Sequence, residues 1–262
     1  MNRKYLLASI LALLALLIAI PVSAITFGKL DGERHPNVGA LVIVDEDGVK
    51  DIVCSGTLIA TDVFLTAAHC VDWMPAEGID PDGVYVTFDT TFDQNSAIYP
   101  GTYYFPPDSW HDMADPIDIA VVVLDAAITG ITPATLPPEN LLTEMKEDGT
   151  LKDQTFIAVG YGTVRDDKTG GPHALYWNPN RRFVEQSFLA LTKAWLKLSM
   201  NPSTGDGGTC YGDSGGPHFL GDTNKVVSVT VTGDAYCRAT DVTYRLDTQV
   251  ARDFLDEFVT LP

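Results

Sequence analysis

Residues 209–217 read Thr-Cys-Tyr-Gly-Asp-Ser-Gly-Gly-Pro, and residues 65–70 read Leu-Thr-Ala-Ala-His-Cys. A serine hydroxyl is a poor nucleophile at neutral pH. It needs a base within hydrogen-bond reach and amide donors aimed at the oxyanion that forms. The run Gly212-Asp213-Ser214-Gly215-Gly216 can supply both the serine and the donors, because its glycines permit a tight turn in which the N–H groups of Gly212 and Ser214 face one spot. Gly, Asp and Ser are also the commonest turn residues, so this run alone describes a surface turn. Its company argues otherwise: a Cys stands four residues before Ser214, and the upstream stretch sets His69 beside Cys70 after an apolar strand.

The chain resembles the trypsin-like (chymotrypsin-fold) serine proteases. The matching residues are Cys54-Ser55-Gly56-Thr57-Leu58-Ile59, Leu65-Thr66-Ala67-Ala68-His69-Cys70, Asp118-Ile119-Ala120-Val121, Gly160-Tyr161-Gly162 and Cys210 through Pro217. They span nearly everything after residue 25, in the order His, Asp, Ser, which separates them from subtilisin and the α/β-hydrolases. The resemblance implies two antiparallel six-stranded β-barrels, an active site in the cleft between them and a C-terminal helix. It also implies a triad of Ser214 as nucleophile, His69 as general base and acid, and Asp118 as its orienting partner, with an oxyanion hole from Gly212 and Ser214. The Asp motif is the least specific. Asp115 competes with Asp118, but it precedes a proline and reads as a solvated turn, whereas Asp118 opens the apolar run 119–124.

Length and composition suit this reading: 262 residues, 45% hydrophobic, with 22 Gly and 16 Pro, fit one large all-β unit or two small barrels. Residues 1–24 read as a secretory signal peptide: a basic start at Arg3-Lys4, an apolar run over 6–20 and a Val-Ser-Ala ending. The apolar run is almost long enough for a membrane anchor, but Pro21 and the small-residue ending favour cleavage and a secreted, extracellular or periplasmic protein. Four cysteines in an exported chain without a Cys-x-x-Cys spacing point to disulfides, with three possible pairings. The resemblance selects Cys54 with Cys70 and Cys210 with Cys237. It also implies that cleavage after Ala24 exposes Ile25, whose new α-amino group pairs with Asp213 and locks the oxyanion loop.

Elsewhere the chain reads as strands and turns. Residues 41–44 and 49–55 form a hairpin around Asp-Gly, and 84–88, 119–124, 156–159 and 226–231 are further short β-branched runs. Residues 184–198 fit both helical and alternating patterns. Val250, Phe254, Leu255 and Phe258 lie on one helical face, with Asp247 as N-cap. The stretch 136–149 lacks a strand pattern and reads as the connection, giving a first barrel over 25–135 with His69 and Asp118 and a second over 136–262 with Ser214.

The resemblance thins at the substrate pocket. The pocket-floor position, six before Ser214, is Gly208, where enzymes that cut after Lys or Arg carry Asp. Asp241 could supply a carboxylate from the opposite wall or be a solvated turn residue, and the family's Ser-Trp-Gly is here Val231-Thr232-Gly233. A net charge of −18, or −20 once Arg3 and Lys4 leave, argues against nucleic-acid partners and favours solubility. Acidic clusters at 80–82 and 89–93 lack calcium-loop spacing, so no metal and no cofactor is expected. His35, His111, His173 and His218 read as surface or packing residues, and Arg181-Arg182 as a processing site or a solvated pair. The expected function is a secreted serine endopeptidase acting on polypeptides and open to a protein inhibitor, without membrane attachment after signal cleavage. The alternatives are a catalytically silent homologue that binds a protein partner, or an esterase using the same site.

Overall fold

A computed structural model describes residues 25–107, 117–165 and 174–262. Thirteen strands and two short α-helices carry the described fold. Strands β2 (Val38–Val44), β3 (Lys50–Leu58), β4 (Val63–Thr66), β5 (Val84–Thr87), β6 (Tyr99–Tyr104) and β7 (Ala120–Leu124) close an antiparallel barrel in the order β2-β3-β4-β7-β6-β5. Their β-branched and aromatic residues suit a curved, half-buried sheet. Inside it Leu41, Phe64, Val84, Val86 and Val122 form a closed apolar core.

The second barrel contains β8 (Thr155–Gly160), β9 (Arg182–Leu191), β10 (Trp195–Ser199), β11 (Pro217–Leu220), β12 (Val226–Gly233) and β13 (Thr240–Arg245). They run β9-β10-β13-β12-β11-β8, and the pairing of β8 with β9 closes the ring. The expected pair of six-stranded barrels is therefore the observed architecture. The ambiguous stretch 184–198 resolves into β9 and β10, because tertiary pairing on both sides decides a pattern that local periodicity leaves open.

Three features depart from the sequence reading. Strand β1 (Lys29–Leu30) pairs with β9, so the residues before the first barrel lie in space on the second. The connecting stretch contains α1 (Leu141–Glu147), whose apolar side meets the second barrel through Leu142. The C-terminal helix α2 (Gln249–Leu255) is present, but its N-cap is Thr248, whose hydroxyl accepts the Ala251 N–H. Asp247 instead pairs with Arg245 at 2.9 Å and accepts the Leu142 N–H at 2.8 Å. Ala251 and Leu255 form the buried face of α2, and Val250 is exposed.

One core cluster runs through both barrels, joining Leu65, Ile119 and Val121 to Val159, Phe219 and Val229, with Leu255 of α2 sealing one end. Arg181 adds a polar clamp. Its buried guanidinium donates to Asp31 at 2.8 Å, to the carbonyls of Gly32 at 2.7 Å and Val38 at 2.9 Å, and to that of Phe88 at 3.1 Å. Both Arg181 and Arg182 are buried, which overturns the reading of this pair as a processing site or a solvated edge.

Candidate active site

Strands β4 and β7 are antiparallel neighbours, with Thr66 opposite Ala120. Three residues beyond Thr66 and two before Ala120, the chain therefore delivers His69 and Asp118 to the same end of the first barrel. His69 sits in a 3-10 turn over Ala68–Cys70, anchored by the Cys54–Cys70 disulfide. Asp118 is fully buried and gives both oxygens to this one residue: Oδ1 accepts the His69 backbone N–H at 2.9 Å, and Oδ2 faces Nδ1 at 2.8 Å. A buried carboxylate at Nδ1 fixes the tautomer that leaves Nε2 able to accept a proton, and would stabilise the imidazolium once formed. Asp115, the competing carboxylate, lies outside the described residues, as do His111 and His173.

Ser214 comes from the second barrel, on the loop before β11, and is half-buried. Its carbonyl accepts the Ser55 N–H at 2.8 Å, and the Ser55 hydroxyl donates to the Gly212 carbonyl at 2.9 Å. The serine loop is thus held from the first barrel by the residue next to Cys54. Contact is tight enough that a Cβ at Gly215 would lie 2.1 Å from Thr66 Oγ1 and 2.7 Å from Ala67 N, on the segment leading to His69. Gly212 has φ +96° and Gly215 φ +74°, conformations open to glycine. The N–H groups of Asp213, Gly215 and Gly216 donate to backbone carbonyls. That arrangement leaves two backbone donors on the serine loop, those of Gly212 and Ser214, without a backbone acceptor among the described residues.

Asp213 is buried beneath this loop and accepts the N–H groups of Gly162 and Cys210, each at 2.8 Å. Burial pushes its pKa up to about 7, and the nearby Asp241 carboxylate adds to the rise against those two hydrogen bonds. Ile25 is also buried, packed with Ala158 and Val184, and Thr26 bridges to Gly208. The second disulfide, Cys210–Cys237, crosses beside Ser214 and helps line a cavity of about 230 Å³ with Thr209, Tyr211, Thr230 and Gly233. Of the three expected pocket residues, Gly233 lines this cavity, whereas Gly208 and Asp241 are not among its lining residues. Asp241 is buried against Gln186, Thr209 and His218.

Two buried polar groupings escaped the sequence reading. His218, read as a surface or packing residue, is buried on β11 and faces Asp241 at 3.1 Å. His35 pairs with Asp31, which also holds Arg181. Burial alone would raise the Asp31 pKa, but the bonds and charges of His35 and Arg181 outweigh it and hold the carboxyl below its usual range. Among the described residues, the grouping of metal-ligand types is Cys54, His69 and Cys70, and its sulfurs are joined in a disulfide and offer no thiolate.

Paired six-stranded barrels contributing a His–Asp pair from one side and a glycine-framed serine from the other define the chymotrypsin fold. A family model described as Trypsin matches residues 32–255, and the chain belongs to that family of serine endopeptidases. Among its relatives, a snake venom serine protease KN8 of Trimeresurus stejnegeri is 29% identical over 200 residues, covering 72% of this chain and 70% of its own. A trypsin of Saccharopolyspora erythraea is 26% identical over 79% of this chain and 85% of its own. The proclotting enzyme of Tachypleus tridentatus is 25% identical over 74% of this chain, a match that takes in 56% of that longer protein. The solved structure of HL collagenase superposes with a TM-score of 0.64 at 18% identity, covering 90% of this chain and 100% of its own, a likeness of fold.

Proposed function

We propose that the protein is an exported endopeptidase that cuts polypeptides through an acyl-enzyme formed on Ser214. The carrying observation is Asp118, fully buried with both oxygens committed to His69, on the segment against which the Ser214 loop packs. In this reading His69 Nε2 takes the Ser214 proton as Oγ attacks the scissile carbonyl, and the amides of Gly212 and Ser214 hold the oxyanion. His69 then returns the proton to the leaving amine, and water repeats the cycle to free the acyl group. The reading places residues 25–135 with the first barrel and 136–262 with the second, apart from the β1 pairing described above. Export rests on residues 1–24 as a removable signal, which lie outside the described residues, and is supported by two disulfides. Among the described residues no helix is long and apolar enough to cross a membrane.

Activation follows from the other end of the chain. Ile25 has φ +33°, a conformation costly for a β-branched residue by roughly 1–3 kcal/mol, and cleavage before it would release that strain. The new ammonium of Ile25 would also give Asp213 the cation that it lacks among the described residues. The test combines two measurements on secreted protein. An activated nitrophenyl ester should give a stoichiometric burst, and a peptide amide should be turned over by the same preparation, both lost in Ser214→Ala. N-terminal sequencing should read Ile-Thr-Phe-Gly. Amide turnover that survives Ser214→Ala would end the mechanism, turnover of esters alone would favour the esterase alternative, and a different N-terminus would end the activation scheme.

A further inference from the structure

Among the described residues, the cavity beside Ser214 is lined by no Lys, Arg or His, and its acidic lining residue is Asp234. That carboxylate is already consumed by its own loop: Oδ1 accepts the N–H groups of Arg238, Ala239 and Thr240, and Oδ2 those of Tyr236 and Arg238. Five contacts on about four lone-pair sites leave no free lone pair for a direct bond to a cation. Asp241 is no closer to use. Its Oδ2 is shared among Gln186, Thr209 and His218 at 2.7–3.1 Å, its Oδ1 is buried without a hydrogen-bond partner among the described residues, and Asp241 is not among the residues that line the cavity.

What closes the space behind the wall is Met200. It is 1% exposed, and a Cβ added at Gly208 would lie 2.2 Å from its Sδ and 2.5 Å from its Cγ. A Cβ at Gly233, which does line the cavity, would lie 3.1 Å from the Met200 methyl. The thioether therefore fills the volume that a side chain at 208 would use to reach an incoming substrate. The remaining 230 Å³ exceeds the roughly 150 Å³ that admits benzene in an engineered cavity. An ammonium or guanidinium entering it would lose its hydration without gaining a free carboxylate, and a carboxylate would do so in a chain of net charge −18.

Resting on the proteolytic reading above, we propose that the site cleaves after uncharged residues of aromatic or long aliphatic side chain, and that Met200 is the residue that sets this preference. The experiment is a series of peptide nitroanilides that differ only in the residue before the scissile bond (Phe, Leu, Met, Lys, Arg, Glu), assayed with mature protein. The expected kcat/KM for Phe, Leu or Met exceeds that for Lys, Arg and Glu by about a hundredfold or more. Gly208→Asp alone should gain no cleavage after Lys or Arg, since Met200 occupies its space; Gly208→Asp with Met200→Ala should gain it. Met200→Ala alone should move the optimum toward larger rings, by about tenfold in the Phe to Leu ratio. Fluorophosphonate labelling of each variant keeps the two claims apart. A wild-type protein that labels yet prefers Lys, Arg or Glu overturns the specificity and leaves the protease reading standing, as does a labelling Met200→Ala with an unchanged profile. A folded wild type that never labels removes both.

Discussion

Asp118 is buried, and among the described residues its carboxylate bonds His69 at both oxygens, so the main effect of replacing it falls on His69. Asp118→Asn should keep the fold and the backbone contact but present the wrong hydrogen-bond partner to Nδ1. The expected loss is on the order of 10⁴ in kcat with little change in KM, read from ester and amide kinetics beside a thermal melt. Asp213 gives a different signature. Before cleavage its folded pKa of about 7 stands above the unfolded value near 3.9, so the folded state holds the extra proton between those limits. The uncleaved form should therefore lose stability as pH rises from about 4 to 7, and Asp213→Asn should flatten that slope. The mature form, with an ammonium beside the carboxylate, should not show it; urea titrations across this range decide. His69, Asp118 and Ser214 could be picked out of the sequence because each sits in a local motif whose neighbours have their own tasks: Cys70 anchors the turn, and Gly215 meets Thr66. Met200 and Asp31 carry no such context. Met200 acts through a residue that is absent, the side chain of Gly208, and Asp31 meets Arg181 across 150 positions of chain.

The C-terminal helix shows how an element can be legible while its ends are not. Asp247 and Thr248 are both good cap residues, and sequence alone gave Asp247 the role. The helix uses Thr248 because Asp247 is already committed to Arg245 and to the first turn of α1. Thr248→Ala should cost about 1 kcal/mol, the ordinary value of a lost cap. Asp247→Ala should cost more, roughly 3–5 kcal/mol, because it strands a nearly buried guanidinium. Equal losses in denaturant unfolding would contradict this assignment. The same logic explains β9 and β10, where strand pairing on both flanks settles a segment whose periodicity suits either structure.

At the scale of the whole molecule, the proposed chemistry requires that two barrels hold their relative position, since His69 and Asp118 belong to one and Ser214 to the other. A shared apolar core does most of this. The Arg181 clamp adds direction, tying Asp31 and Gly32 to carbonyls of the first barrel from the start of β9. Arg181→Met should destabilise by roughly 3–5 kcal/mol at neutral pH by leaving Asp31 buried without its guanidinium. Because the Asp31 pKa is lowered in the fold, its contribution is present above about 4 and drains away as pH falls through the folded value. The gap between wild type and variant should accordingly narrow in acid, and urea midpoints at neutral and acid pH measure it. No sequence pattern announced this clamp: a pair of arginines before a strand reads as solvated until the fold encloses it.

All of the chemistry above rests on Ser214 as an activated nucleophile. Mature secreted protein is treated with a fluorophosphonate, digested and mapped by mass spectrometry. A single stoichiometric adduct on Ser214 is expected, sharply slowed in Asp118→Asn and absent in Ser214→Ala. A folded mature protein that takes no label, or takes it equally after Ser214→Ala, would mean that Ser214 is no nucleophile and leave the fold as a scaffold for binding.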